Sequence, residues 1–202
     1  FYLEIFFSQF CIFPIIFLFP KTFNKCFSNA SLIFLTETST IKVSSNLFVY
    51  GGLFMKIGVI SDTHGSLPDT VGDALKECDY LIHAGDIGTE ACYRAIFQLD
   101  LPSYLVRGNC DWGRYASDMQ EVLSFHIDGI SISLIHDLNR LSRLPDGTDL
   151  VIFGHTHHYA LFERQGVTYL NPGSVSDGRG EPESFVILET RYGYFEVKKY
   201  TL

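Results

Sequence analysis

From Lys56 onward the chain alternates short apolar runs with small polar clusters. KIGVIS (56–61) leads into Asp62-Thr63-His64, YLIHA (80–84) into Gly85-Asp86, and SYLVR (103–107) into Gly108-Asn109-Cys110-Asp111. ISISLI (130–135) leads into His136, and LVIF (150–153) into Gly154-His155-Thr156-His157. Short β-branched runs bounded by glycine and aspartate predict buried strands. Between the first three runs, Leu67, Val71, Ala74, Leu75 and Cys78 recur at helical spacing, as do Ala91, Ala95, Ile96 and Leu99, predicting helices over 67–78 and 90–99. Strand–helix–strand order implies parallel pairing with right-handed crossovers, hence an α/β fold. Further on the pattern changes. Asp128-Gly129, Gly166 and Tyr192-Gly193 each separate two strand-like runs, which predicts hairpins and antiparallel pairing in places. Ligands of open α/β sheets bind beyond the carboxyl ends of the strands, so the five polar clusters are expected to meet in one site.

Composition divides the chain. Residues 1–54 hold 12 of the 18 Phe and only five charged residues, against 33 in residues 55–202. The run Phe6–Phe19 is broken by Ser8, Gln9 and Pro14 and falls short of a span of roughly 18 apolar residues. A secretory leader carries its bases before the apolar run, whereas Lys21 and Lys25 follow it. Residues 1–54 are therefore read as an upstream extension, with a membrane or targeting role as the alternative, and 55–202 as the folded domain. The net charge of −8 argues against a dedicated nucleic-acid surface, although bound divalent ions can reverse a local field. Five cysteines with no CxxC imply neither a disulfide framework nor a structural zinc site, and a cytoplasmic location is expected.

The clusters collect Asp62, His64, Asp86, Asn109, His136, His155 and His157. Such oxygen and imidazole donors exceed what one tetrahedral ion uses, and suit two higher-coordinate ions sharing one carboxylate. Asn109 would offer a neutral amide oxygen, which limits the negative charge around a site meant for phosphate.

The ordered set DTH…GD…GNCD…H…GHTH, closed by Asn171-Pro172-Gly173-Ser174, resembles the calcineurin-like metallophosphoesterase superfamily, and within it the small YfcE-type phosphodiesterases. The likeness covers 55–202 and none of 1–54. It implies a four-layer α/β/β/α sandwich with mixed sheets. It also implies that Asp62, His64 and His157 hold one metal, that Asn109, His136 and His155 hold a second, and that Asp86 bridges them. Mn2+ is the expected ion, with Zn2+, Ni2+ or Fe2+ as alternatives. The implied activity is hydrolysis of a small phosphodiester by in-line attack of a hydroxide bridging two divalent metals. Oligomers of this chain are expected from small relatives.

Two departures stand out. Cys110 occupies a position where many relatives have His, and Asp137 one where they commonly have Gly. Cys110 and Asp111 are expected on the leaving-group side, with slower chemistry and a bias towards good leaving groups. Arg107 is weighed as a phosphate contact or an ion-pair partner, Trp112 and Tyr115 as leaving-group walls or loop packing, and His83 as a core histidine. The rival reading is a catalytically weak scaffold of the same fold that binds protein partners, similar to a retromer subunit. The complete ligand set favours the enzyme.

Overall fold

Strands form where the apolar runs fall. The computed structural model describes residues 54–202, so the expectations for the segment before Phe54 lie outside the described residues. β1 (Met55–Ile60), β2 (Tyr80–His83) and β3 (Ser103–Leu105) pair in parallel, linked by α1 (Asp69–Leu75) and α2 (Glu90–Phe97). The second half of the chain begins with β4 (Val122–Ile127), β5 (Ile130–Ile135) and β6 (Leu150–Ile152). It continues with β7 (Tyr159–Arg164), β8 (Val167–Pro172), β9 (Ser184–Arg191) and β10 (Tyr194–Thr201). One sheet has the order β10-β9-β1-β2-β3 and the other β4-β5-β6-β8-β7.

The helices are shorter than their periodicity. Pro68 has no N–H to offer and sits at ψ 141°, so α1 starts after it, while Leu67 and Cys78 flank the helix and still pack beneath it. Thr89 sets the start of α2 by accepting the Cys92 N–H on its hydroxyl at 3.2 Å.

The predicted hairpins form as two-residue turns. Asp128-Gly129, Gln165-Gly166 and Tyr192-Gly193 all have positive φ at both positions, the backbone that joins right-twisted antiparallel strands without splaying them. The second sheet is not antiparallel throughout: β5, β6 and β8 pair in parallel. The β7–β8 hairpin explains part of this, because β7 runs back along the edge and β8 returns between it and β6.

Alternation gives the first sheet two apolar faces. Ile57, Val59 and Ile82 pack between the sheets against Ile132, Leu134, Leu150, Ile152 and Leu170. Ile60, Leu81, Phe185 and Ile187 pack with Val71, Leu75, Cys92 and Ile96 of the helices. Each such side chain contributes roughly 1.5–3 kcal/mol when fully buried. The connection from β5 to β6 carries only a 3-10 turn, Leu138–Arg140, so among the described residues the α-helices pack with the first sheet alone. The result is a sandwich of two mixed sheets whose parallel strands deliver their carboxyl ends to one edge.

Candidate metal centre

Five of the seven expected ligands have a left-handed backbone: Asp62 (φ 53°), His64 (43°), Asp86 (58°), His155 (70°) and His157 (67°). Such conformations are uncommon outside glycine and gather at functional sites, where the surrounding fold holds them. Here the chain turns abruptly off β1, β2 and β6, which swings each side chain back over the sheet edge. Glycines let these turns approach one another. A Cβ at Gly108 would collide with the Asp86 carboxylate, and one at Gly154 with the Ser61 hydroxyl.

One pole of the cluster is closed. Asp62 and His157 are buried, and His64 is partly exposed. The His157 Nδ1–H donates to the Asp177 carbonyl at 2.6 Å, which leaves Nε2 as a lone pair facing Asp62 Oδ1 at 3.4 Å and His64 Nε2 at 3.0 Å. Asp62 Oδ2 accepts from the Ser61 hydroxyl at 2.6 Å and the His155 N–H at 3.1 Å, whereas Oδ1 is buried with no hydrogen-bond partner. Burial raises this carboxyl above its ordinary value, against the Ser61 hydrogen bond and the nearby imidazoles.

The other pole is open. The His136 Nδ1–H donates to the Ala84 carbonyl at 2.8 Å, so its Nε2 faces Asn109 Oδ1 at 3.0 Å and Asp86 Oδ2 at 3.3 Å. Asn109 Oδ1 also lies 2.9 Å from His155 Nδ1. Asp86 joins the poles: its Oδ2 is 3.8 Å from His64 and 3.3 Å from His136, while Oδ1 accepts the Cys110 N–H at 2.7 Å. Burial alone would raise Asp86, but hydrogen bonds from His136 and Cys110 and the His136 charge hold it well below the usual carboxylate range. Burial opposes a charged His136, yet the hydrogen bond and charge of Asp86, with Asp62 behind, raise its pKa.

Both poles crowd carboxylate, amide and imidazole acceptor atoms together, and the buried Asp62 Oδ1 has no donor. A cation would resolve that arrangement, and in its absence the two carboxylates favour a charged His136. The donor atoms of Asp62, His64 and His157 lie close enough together to hold a metal ion, and so do those of Asp62, Asp86 and His136. Residues 55–193 match the calcineurin-like phosphoesterase superfamily domain. The chain belongs to that superfamily. A probable metallophosphoesterase of Methanothermobacter thermautotrophicus is 32% identical over 66% of this chain and 85% of its own length. The phosphodiesterase YfcE of Escherichia coli is 28% identical over 67% of this chain and 88% of its own. Among solved structures, zinc-complexed Vps29 of Entamoeba histolytica shares the fold at a TM-score of 0.58 and 21% identity, over 73% of this chain and 99% of that one.

Asp111 differs from its expected place in this phosphoesterase. Its buried carboxylate accepts the N–H groups of Asp86 (2.9 Å), Gly88 (2.9 Å) and Gly108 (2.8 Å), and the Tyr115 hydroxyl at 3.0 Å. It pins the Asp86 loop to the Asn109 loop and presents no free oxygen towards a leaving group. Cys110 does reach the site, grouping with His64 and Asp86. Burial, with Asp86 and Asp111 nearby, pushes its thiol up to about 11.

His83 is fully buried, accepts the Gly85 N–H on Nδ1 at 3.1 Å and donates from Nε2 to the Thr63 hydroxyl at 3.1 Å. Arg107 pairs with Glu121, Tyr115 is absorbed by Asp111, and Trp112 stands 78% exposed. The Asn171–Ser174 segment braces the site, since Ser174 Oγ donates to the Asp62 carbonyl at 2.7 Å and Asn171 Nδ2 to the Gly154 carbonyl at 2.8 Å. Sequence reasoning missed Ser61 and the Asp177 carbonyl, which orient Asp62 and His157. A serine at a strand end and a loop carbonyl have no sequence signature of their own.

Proposed function

We propose that this metallophosphoesterase hydrolyses small phosphodiesters with two divalent cations, Mn2+ foremost. Asp62, His64 and His157 would hold one, Asn109, His136 and His155 the other, and Asp86 both. The observation that carries this reading is the convergence of acceptors at two poles joined by Asp86, with Asp62 Oδ1 unpartnered. Divalent ions bound there supply Lewis acidity to a water and to the non-bridging oxygens of a phosphate.

The chain's own residues do the remaining work. The Ser61, Ala84 and Asp177 contacts aim the ligand lone pairs before any ion arrives, and such outer partners typically contribute about 10–100-fold in affinity or activity. Cys110, its thiol protonated at neutral pH, offers a weak neutral donor where an imidazolium would offer a strong one. That difference supports diesters with good leaving groups over dianionic monoesters.

The test uses the metal-free full chain with bis-p-nitrophenyl phosphate, with and without Mn2+, and p-nitrophenyl phosphate as control. Metal-restored diester turnover with little monoester turnover is the expected result. Two bound ions with no turnover of either ester would favour the scaffold reading, for which the fold shared with Vps29 is the supporting observation.

A further inference from the structure

Beside the open pole lies a cleft of about 120 Å³ lined by Asn109, His136 and His155. Arg107, Glu121, Asp137 and Arg140 also line it, with the apolar Val122 and Ile135. The two arginines come from separate elements, the loop after β3 and the 3-10 turn after β5, and Glu121 draws them together. One Glu121 oxygen takes Arg107 Nη2 at 2.7 Å and the other takes Arg140 Nη2 at 3.4 Å. Among the described residues Glu121 is the only side chain bonded by either guanidinium. A guanidinium has five N–H donors, so most remain free. The second carboxylate of the cleft bonds neither arginine: Asp137 Oδ1 accepts from the Asn139 N–H at 2.9 Å and from its side-chain amide at 3.1 Å.

We infer that this cleft binds a second anionic group of the substrate, a carboxylate or phosphate a few bonds from the scissile phosphate. The inference rests on the phosphodiesterase reading and deepens it. Forked donors match planar carboxylates and phosphates in bidentate fashion, which makes a paired-arginine wall a selective feature rather than a uniform attraction. Glu121 occupies the two guanidinium groups until an anion of the substrate competes for them.

Binding of product analogues separates this inference from turnover. The Mn2+-loaded chain is titrated calorimetrically with ethyl phosphate, 2-phosphoglycolate and ethane-1,2-diol bisphosphate, while bis-p-nitrophenyl phosphate hydrolysis is followed in parallel. The two ligands that carry a second anionic group should bind about tenfold more tightly than ethyl phosphate at low salt, the stronger of them identifying the preferred group, with the margin shrinking in high salt as screening grows. R107Q and R140Q should each shrink the margin, and E121Q, which frees both guanidinium groups, should widen it. A clamp that served only to hold the loops would respond to all three substitutions in the same direction, and that result would overturn the inference. So would equal affinity for the three ligands, even with the diester hydrolysed. A retained margin with an inert diester would sustain the anion site and sink the phosphodiesterase reading instead.

Discussion

The two poles of the centre differ in closure. At the first, Asp62 and His157 are buried and tied to Ser61 and the Asp177 carbonyl, and of its three residues His64 alone is partly exposed. At the second, Asn109 and His155 stand at the mouth of a cleft with charged walls. At the closed pole the side-chain directions are set by the Ser61 hydroxyl and the Asp177 carbonyl. On the proposed function, the open pole is where a substrate would reach the centre, beside the cleft that Asn109 and His155 line. Asp86 belongs to both, which makes it the residue through which a change at one pole reaches the other.

The largest effect is expected from D62N at the closed pole. Mn2+-dependent diester hydrolysis should fall by about a thousandfold, the several kcal/mol contributed by a Lewis-acid clamp. Thermal melting of the metal-free chain should not fall, because the substitution removes a buried carboxylate whose Oδ1 has no partner. Retained activity in this variant would break the distinction between the poles.

D111A addresses the strap that keeps the poles in register. It strips three backbone N–H groups of their acceptor and should cost about 3 kcal/mol. Differential scanning calorimetry should show the midpoint falling by about 6–12 °C for a chain of this size.

His83, bonded to Thr63 and Gly85, supplies a pH-dependent check on the loops after β1 and β2. Burial drives its ring from the ordinary 6.5 down to about 4. Between those values the unfolded chain takes up a proton that the folded chain refuses. Stability of the metal-free chain is therefore full above the unfolded value and is lost as the pH falls towards the folded one, by on the order of 3 kcal/mol. Urea midpoints measured across that window should flatten in H83Q, whose side chain does not titrate. An unchanged slope would place the acid sensitivity in another group.

The smallest effect concerns the donor near the leaving group. C110H should raise p-nitrophenyl phosphate turnover relative to the diester by roughly tenfold, the difference between a neutral and a charge-assisted hydrogen bond. An unaltered ratio of the two rates would remove Cys110 from the selectivity argument.

Much of this was legible in the chain because the signals were local. A two-residue turn such as Asp128-Gly129 needs only its own backbone preferences and its flanking runs, and the strand before each ligand cluster announces itself by its apolar residues. What stayed hidden depends on partners distant in sequence. Asp111 looked like a site residue because it follows Asn109 and Cys110, yet its acceptors are used by N–H groups of Asp86 and Gly88, more than twenty positions away. Glu121 carried no motif at all, and its role exists only because two unrelated loops bring arginines to it. The parallel pairing of β6 with β8 was equally unreadable, since it follows from β7 taking the sheet edge and not from any pattern within β8.

The central claim is that one carboxylate, Asp86, serves two cations at once. Electron paramagnetic resonance of the metal-free full chain loaded with two equivalents of Mn2+ tests it most directly. The account expects an exchange-coupled spectrum that reverts to isolated ions in D86N. Isolated-ion hyperfine structure from the unaltered chain, with both equivalents bound, would contradict it.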